Sequence, residues 1–389
     1  MNFVFLSPHF PPNYYLFCVH LRRFGATVLG LADEPYELLR PELKEALNEY
    51  YRVYDLHDYD SLVRALGYFT HRYGKIQGLD SHNEYWLETE ARLRTDFNIP
   101  GLTTRQIALV KKKSEMKKLF VKAGVAVARG RVVQNLQQAR QFIAECGYPV
   151  VAKPDVGVGA AKTYKINNEA DLEYFWRDKL PVPYLLEEFI QGRIFTFDGL
   201  VDQDGHIVFY TSHYYSQGIM ETVNEDQDVY YVSLRDIPSD LEMAGRAIVR
   251  VYQLKGRFFH FEFFRTPTGN LVALEVNMRP PGGLTTDMFN YANDTDVYRE
   301  WANVIVNNRF EGRNDRPYHC AYVGRKENKS YRYSHQEILK ELGEAVVHDE
   351  AISGVFSAAL GNYGYLLRSP SLDEIERMAK FIQEKKDQG

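Results

Sequence analysis

Glu262 and Glu275 lie in two strand-like runs, Phe258–Arg265 and Leu271–Met278, on either side of the turn Pro267-Thr268-Gly269-Asn270. With Thr268 and Gly269 at the centre of the hairpin, Glu262 falls directly opposite Glu275 and His260 opposite Asn277. Cross-strand partners share a face, as do residues two apart on one strand, so these four side chains fall together. Phe259, Phe261, Phe263, Leu274 and Val276 take the other face, and this apolar side fixes the register. Carboxylates paired in this way have β-carbons about 5 Å apart and repel each other unless something neutralises them. A divalent cation does so: magnesium takes carboxylate oxygens at about 2.0–2.1 Å and leaves positions for phosphate oxygens. Asn277 adds a neutral oxygen ligand, and Arg279, in phase two residues on, suits a phosphoryl group. Pro280-Pro281-Gly282-Gly283 then ends the strand abruptly. Two other readings compete for the pair alone: a solvated face of surface acids, and the acid and nucleophile of a glycosidase.

Three further segments bear on the choice. Tyr148–Lys153 reads as a strand ending in lysine, and Pro154–Ala161 is a small-residue loop with Gly157, Gly159 and Ala160. Glycine lets backbone N–H groups approach phosphate oxygens, and lysine supplies the compensating charge. No Gly-Lys-Thr opens a helix here, so this is not a Walker A loop. Leu185–Gly192 is an apolar strand interrupted by Glu187 and Glu188; backbone groups at such an edge can read an adenine while apolar side chains cover the ring. The run Lys111-Lys112-Lys113, followed by Met116-Lys117-Lys118, is a basic helix face from which one lysine can reach a phosphate. Alone, each segment also reads as ordinary structure: a flexible hairpin, an amphipathic strand, a solvated helix.

In this order and at these separations the four segments resemble the ATP-grasp superfamily, which includes biotin carboxylase, carbamoyl-phosphate synthetase, D-alanine–D-alanine ligase and bacterial L-amino-acid ligases. The likeness runs over residues 111–310, with Phe-His-Phe-Glu…Leu-Glu-Val-Asn-Met-Arg-Pro as its most specific part. It implies that Lys113 and Lys153 bind ATP phosphates and that Gly157, Gly159 and Ala160 form a mobile phosphate lid. It places Glu187, Glu188 and Ile190 at the adenine hinge, and makes Glu262, Glu275 and Asn277 ligands of two magnesium ions, with manganese an acceptable substitute. Arg279 becomes the group that steadies the phosphoryl group in transfer. One departure stands out: Ile194 occupies the position where the family often has an acid or histidine for the ribose hydroxyls, while Asp198 is present as in many relatives. The implied activity is that of a carboxylate–amine ligase, with an acyl phosphate intermediate and an amino acid or peptide-like substrate. A bicarbonate-using enzyme of the carbamoyl-phosphate-synthetase or carboxylase kind, and a nucleotide-binding regulator without turnover, are the alternatives.

These groups need a scaffold, and the chain predicts an α/β one. The first hundred residues alternate strand and helix: strands at Asn2–Ser7, Ala26–Leu31, Val53–Leu56 and Ile76–Leu79, and helices at Tyr14–Phe24 and Tyr59–Tyr73. This rhythm implies a small parallel sheet, a Rossmann-like lobe. Its first turn, Ser7–Pro12, has no Gly-x-Gly-x-x-Gly, which argues against a dinucleotide there. A basic helix is expected over Thr104–Ala123, another over Leu136–Cys146, and a third over Asp287–Asn307, with strands dominating between Tyr148 and Asn277. The expected division is residues 1–110, a two-part ATP-grasp unit at 111–310 whose lid spans about 111–187, and a small α+β lobe at 311–389.

A chain of 389 residues that is 45% hydrophobic and 25% charged suits two or three packed lobes. Its net charge of -5 does not suggest a basic face for nucleic acid. Cys18, Cys146 and Cys320 have neither metal-ligand spacing nor an even count, which fits isolated thiols in a reducing compartment. No stretch reads as a signal peptide or membrane span, so a cytoplasmic protein acting on a small carboxylate and amine, without membrane or nucleic-acid partners, is expected; a homodimer is left open.

Overall fold

The computed structural model describes residues 1–157, 162–218, 222 and 225–386. Gly159 and Ala160 of the expected phosphate lid lie outside the described residues.

The amino-terminal part runs β1 (Asn2–Leu6), α1 (Tyr15–Arg23), β2 (Thr27–Ala32), α2 (Pro41–Ala46), β3 (Glu49–Arg52), α3 (Tyr59–Tyr73), β4 (Gly78–Asp80) and α4 (Leu87–Asp96). Its sheet has the order β3-β2-β1-β4, and every pair in it is parallel, as the βαβ rhythm requires. The third strand is Glu49–Arg52 rather than Val53–Leu56. The apolar residues Val53 and Leu56 are buried just beyond the strand as packing groups.

The expected basic helix is broken in two, α5 (Thr104–Lys111) and α6 (Lys113–Lys122). Lys112 adopts an extended backbone (φ -91°, ψ 115°) and forms a β-bridge with Val156, while the Lys113 N–H donates to the Asp155 carbonyl at 2.9 Å. Hydrogen bonds to the distant glycine loop replace helical ones at this point. A sequence of good helix formers gives no hint of that tertiary override. Next come β5 (Gly130–Val133), α7 (Leu136–Cys146), β6 (Val150–Pro154), β7 (Tyr164–Ile166), α8 (Glu169–Asp178) and β8 (Tyr184–Glu188). Their strands form a second sheet in the order β5-β8-β6-β7.

The third sheet is built from β9 (Arg193–Val201), β10 (Ile207–Thr211), β11 (His213–Tyr215), β12 (Tyr230–Ser233), β13 (Arg257–Arg265), β14 (Leu271–Asn277), β15 (His319–Arg325), β16 (Val346–Ala351) and β17 (Tyr363–Ser369). Its order is β14-β13-β9-β11-β12-β15-β17-β16, with β10 also paired to β9. The strands after residue 311 therefore join the same sheet as those before it, through the β12–β15 pairing, so the expected boundary at 311 falls inside a continuous sheet. The helices are α9 (Ser239–Tyr252), α10 (Thr285–Asn293), α11 (Val297–Asn307), α12 (His335–Leu342), α13 (Gly354–Leu360) and α14 (Leu372–Gln383). The helix expected over Asp287–Asn307 is thus also two, divided at Asp294, whose φ of 46° is left-handed. Helix α9 lies so close on β9 that a Cβ on Gly245 would sit 2.1 Å from the Phe197 ring.

One apolar cluster joins the amino-terminal sheet to the large one. Phe3, Phe5 and Phe17 pack with Leu200, Phe209, Phe258, Phe289 and Trp301. Burying aromatic surface of this size dominates the energetics of such a contact and sets the amino-terminal part firmly against one end of β13.

Candidate active site

The register that the hairpin sequence implies is present. Glu262 pairs with Glu275 and His260 with Asn277. The turn itself is different: Arg265 pairs with Leu271, and a shift between Glu262 and Phe263 restores the register at the glutamates. That irregularity turns Leu274 from the expected core face into the cleft, and Ala273 takes its place in the core. A β-bulge of this kind re-aims side chains next to a site.

The hairpin forms one wall of a cleft of about 1010 Å³. Lys113, Lys153, Glu187, Glu188, Ile190, Glu262, Glu275, Asn277 and Arg279 all line it. Lys113, at the start of α6, is buried; its ammonium donates to the Gly157 carbonyl at 2.9 Å and lies 3.4 Å from Glu275. The break at Lys112 therefore aims Lys113 inward. Gly157 is exposed and meets the site through that carbonyl.

Lys153 and Glu187 are two positions out of register on neighbouring strands, since Glu187 pairs with Val151 and Lys153 with Leu185. Both side chains are buried, and they form an ion pair. Lys117 closes on the other oxygen of Glu187 at 2.5 Å and donates to the Ala128 carbonyl at 2.7 Å. Burial would raise the Glu187 carboxyl, but the Lys153 and Lys117 ammoniums override it and hold it below its ordinary value. Burial pulls Lys117 down, against the attraction of Glu187. Gly130, opposite Glu187, makes room for this arrangement: a Cβ there would sit 3.1 Å from Glu187 and 3.3 Å from Lys117. Glu187 is thus a clamp between two lysines rather than a group free to meet an adenine. The Glu188 carboxylate turns to Arg129, accepting from its backbone N–H at 2.8 Å and its Nε at 2.7 Å. Phe189 carries Lys165 over its ring at 4.2 Å, and both line the cleft.

Asp198 does not line the cleft. It is fully buried opposite His260, whose Nδ1 lies 2.5 Å away, and its other oxygen takes His213 at 2.8 Å and the Thr196 hydroxyl at 2.5 Å. Burial would raise Asp198, yet the two histidines bring it down to about 2. Burial would lower His260, yet Asp198 and Glu262 lift it to about 9. The other imidazole nitrogen of His260 is 3.0 Å from Glu262. The expectation that Asp198 contacts a nucleotide fails on this placement; it orients Glu262 through His260. Ile194 is buried and lines the cleft beside Tyr215 and Tyr231.

Arg279 is held from three sides. Its guanidinium donates to the Pro280 carbonyl at 2.8 Å and to Asn277 Oδ1 at 3.4 Å, and its Nε lies 3.4 Å from Glu84. Lys117, Lys165, Gly130, His260 and Glu84 are the participants that motif reading did not assign. His260 was in phase with the metal-type residues, so strand alternation pointed to it. The other four meet the site only through pairings between distant segments.

Residues 146–287 match the sequence profile of the ATP-grasp domain. The whole chain superposes on an L-amino acid ligase from Bacillus licheniformis, covering 100% of this chain and 99% of that one, with a TM-score of 0.75 at 15% identity. The chain carries an ATP-grasp domain. A second superposition is on the biotin carboxylase domain of a Hydrogenobacter thermophilus 2-oxoglutarate carboxylase, solved with MgADP and bicarbonate. It covers 97% of this chain and 88% of that one, with a TM-score of 0.71 at 16% identity. In sequence, the L-arginine-specific L-amino acid ligase of Bacillus subtilis is 22% identical over 242 residues, 60% of this chain and 58% of that protein. The chain thus spans less than two thirds of that relative's length. No helix among the described residues is long and apolar enough to cross a membrane.

Proposed function

We propose that this ATP-grasp protein is an ATP-dependent ligase that activates a carboxylate as an acyl phosphate and joins it to an amine, releasing ADP and phosphate. The observation that carries this reading is the cleft itself. Opposed acids on β13 and β14, with Asn277 and Arg279 beyond them, face two buried lysines, Lys113 and Lys153, on other elements. Like charges placed directly opposite on a sheet are destabilising unless compensated, so Glu262 and Glu275 fit divalent cations. Magnesium, as two ions or with manganese in its place, would be held by Glu262, Glu275 and Asn277 and would neutralise developing charge on the phosphates.

The chain's own groups supply the rest. Lys113 and Lys153 neutralise phosphate oxygens, and Lys153 must exchange its partner Glu187 for them. His260, fixed by Asp198, orients Glu262. Arg279 presents its guanidinium where a transferring phosphoryl group gathers charge. Val151, Ile190 and Leu274 offer apolar cover for a base at the hinge. No side-chain nucleophile is required. We assign residues 1–110 to a preceding α/β unit, 111–310 to the ATP-grasp unit and 311–389 to a carboxy-terminal part whose strands extend the large sheet of that unit. An amino acid or peptide-like substrate is favoured, because the L-amino acid ligase superposes over the full chain.

The test is phosphate release from Mg·ATP on addition of amino acids singly and in pairs, beside bicarbonate. Amino-acid-dependent turnover that is lost in Glu275→Gln, with the fold retained by circular dichroism, is expected. Turnover on bicarbonate alone, or near-normal activity in Glu275→Gln, would overturn the reading.

A further inference from the structure

Arg279 is tied to the amino-terminal part of the chain through Glu84. This glutamate opens a one-turn 3-10 helix, Glu84–Trp86, just after β4. Its side chain is nearly buried. One oxygen, Oε1, accepts from the Lys111 ammonium at 2.9 Å, and the same ammonium reaches the Glu84 carbonyl at 3.2 Å. The other oxygen, Oε2, is buried, has no hydrogen-bond partner, and faces Arg279 Nε at 3.4 Å. A buried carboxylate oxygen left unsatisfied is costly. Its placement against a guanidinium at a distance that a small movement would close marks an ion pair set for Arg279.

Geometry shows what the pair does. The Nε side of the guanidinium faces Glu84, one terminal nitrogen is fixed on the Pro280 carbonyl and the other leans on Asn277. An arginine loses much rotamer freedom when it is pinned. Here that loss is met by groups of the folded protein before any substrate arrives. Lys111 in turn fixes Glu84, and Lys111 is the last residue of α5, immediately before the break that turns Lys113 into the cleft. One short stretch of chain therefore sets both Lys113 and, through Glu84, Arg279.

We propose that Glu84 is a positioning residue for Arg279, held by Lys111, and that the amino-terminal part of the chain thereby completes the phosphoryl-transfer site. This rests on the ligase reading above, in which Arg279 meets the transferring group. Glu84 touches no reacting atom; it acts by fixing where the guanidinium points. Misplacing a catalytic group by about 1 Å costs on the order of 100-fold in rate.

The experiment uses the full chain with Mg·ATP and an equimolar mixture of the twenty amino acids, read by phosphate release. Glu84→Gln keeps the shape and removes the charge. It is expected to lower kcat by about 10- to 100-fold while KM for ATP and KM for the mixture stay within about twofold. Lys111→Met should fall in the same direction by less. In an Arg279→Ala background, Glu84→Gln should have no further effect, since both act through one group. A second readout needs no turnover: in arginine side-chain relaxation spectra of the nucleotide-free protein, the Arg279 Nε–H should become more mobile in Glu84→Gln. Unchanged kcat and unchanged Arg279 mobility in Glu84→Gln would overturn the proposal. So would a raised KM for the amino acids at constant kcat, which would make Glu84 a substrate ligand, or multiplicative losses in the double variant. If Arg279→Ala alone turns over like the wild type, the ligase reading fails first, and the mobility measurement still decides whether Glu84 holds the guanidinium.

Discussion

His82 gives a pH dependence of stability whose size follows from its surroundings. The ring is buried among Phe17, Trp301, Phe258 and Phe5, with centroids at 4.3, 4.5, 5.7 and 5.7 Å, and its Nε2 has no hydrogen-bond partner. Burial disfavours the imidazolium more than the Asp80 carboxylate favours it, so the group falls from 6.5 to about 4. The unfolded chain therefore binds this proton more tightly than the folded one. Stability from the neutral ring is complete above pH 6.5 and is lost as pH falls from 6.5 towards 4. At pH 5 the loss amounts to roughly 2 kcal/mol, and it approaches about 3 kcal/mol below pH 4. Neighbouring acids do not share this signature. Asp80, although buried, is held well below its ordinary range by Arg257, His82 and Arg94, so it titrates at lower pH. Glu90 is raised by burial and by Asp80, and it works in the opposite sense over part of the same window. For that reason the measurement is a difference between two proteins. His82→Phe keeps an aromatic ring in the cage and removes the titration; the left-handed backbone at this position (φ 56°) lowers its baseline stability without adding a pH term. Urea unfolding followed by tryptophan fluorescence, to which Trp301 beside the ring contributes, is run from pH 7.5 to pH 5. The wild type should lose roughly 2 kcal/mol more than the variant over that range. Parallel curves for the two proteins would refute the argument, because they would mean that His82 takes up its proton without opening the cage.

Two further outcomes follow from the cleft. Lys153→Ala should weaken ATP binding strongly in calorimetry, whereas Lys112→Ala, whose side chain is exposed, should bind as the wild type does; equal affinities would displace Lys153 from the phosphate site. Asp198→Asn removes the carboxylate between His213 and His260 and should destabilise the fold by about 3–5 kcal/mol, read as an unfolding midpoint whose gap to the wild type is full between the ordinary values of 3.8 and 6.5 and narrows as pH rises towards 9; an unchanged midpoint would show that the pair is not coupled to folding.

Much of the site is legible in the sequence because its key residues are close along the chain. The hairpin carries both glutamates, the asparagine and the arginine within one supersecondary unit, and alternation with a turn signal is enough to set their register. Even there, one residue escaped: the bulge that moves Leu274 into the cleft depends on how Ala273 packs, and its backbone N–H is taken by the Ala126 carbonyl of another segment. The small parallel sheet was legible for the same reason, since each βα step repeats within a short span. The strand expected at Val53–Leu56 lies instead at Glu49–Arg52, because burial outside a strand and burial within one leave the same apolar trace.

What sequence could not supply is the pairing of distant charges. Lys111, Lys112 and Lys113 are chemically identical neighbours with three fates: one fixes Glu84, one faces water and bends the chain onto Val156, one enters the cleft. Helical periodicity would spread them around a cylinder, and only the interruption at Lys112 separates their roles. Glu187 shows the same limit from the acid side. Its position on an apolar strand suggested the edge of a base pocket, but the register of β8 on β6 delivers it to Lys153, and Gly130 opens the space for Lys117. The consequence is a site whose cations already lie against protein acids before nucleotide binds: Lys153 and Lys117 against Glu187, Arg279 against Glu84, Lys113 against Glu275. A strongly charged ligand is then recognised by exchange of partners within a fixed cleft, which limits both the desolvation on binding and the rearrangement needed for catalysis.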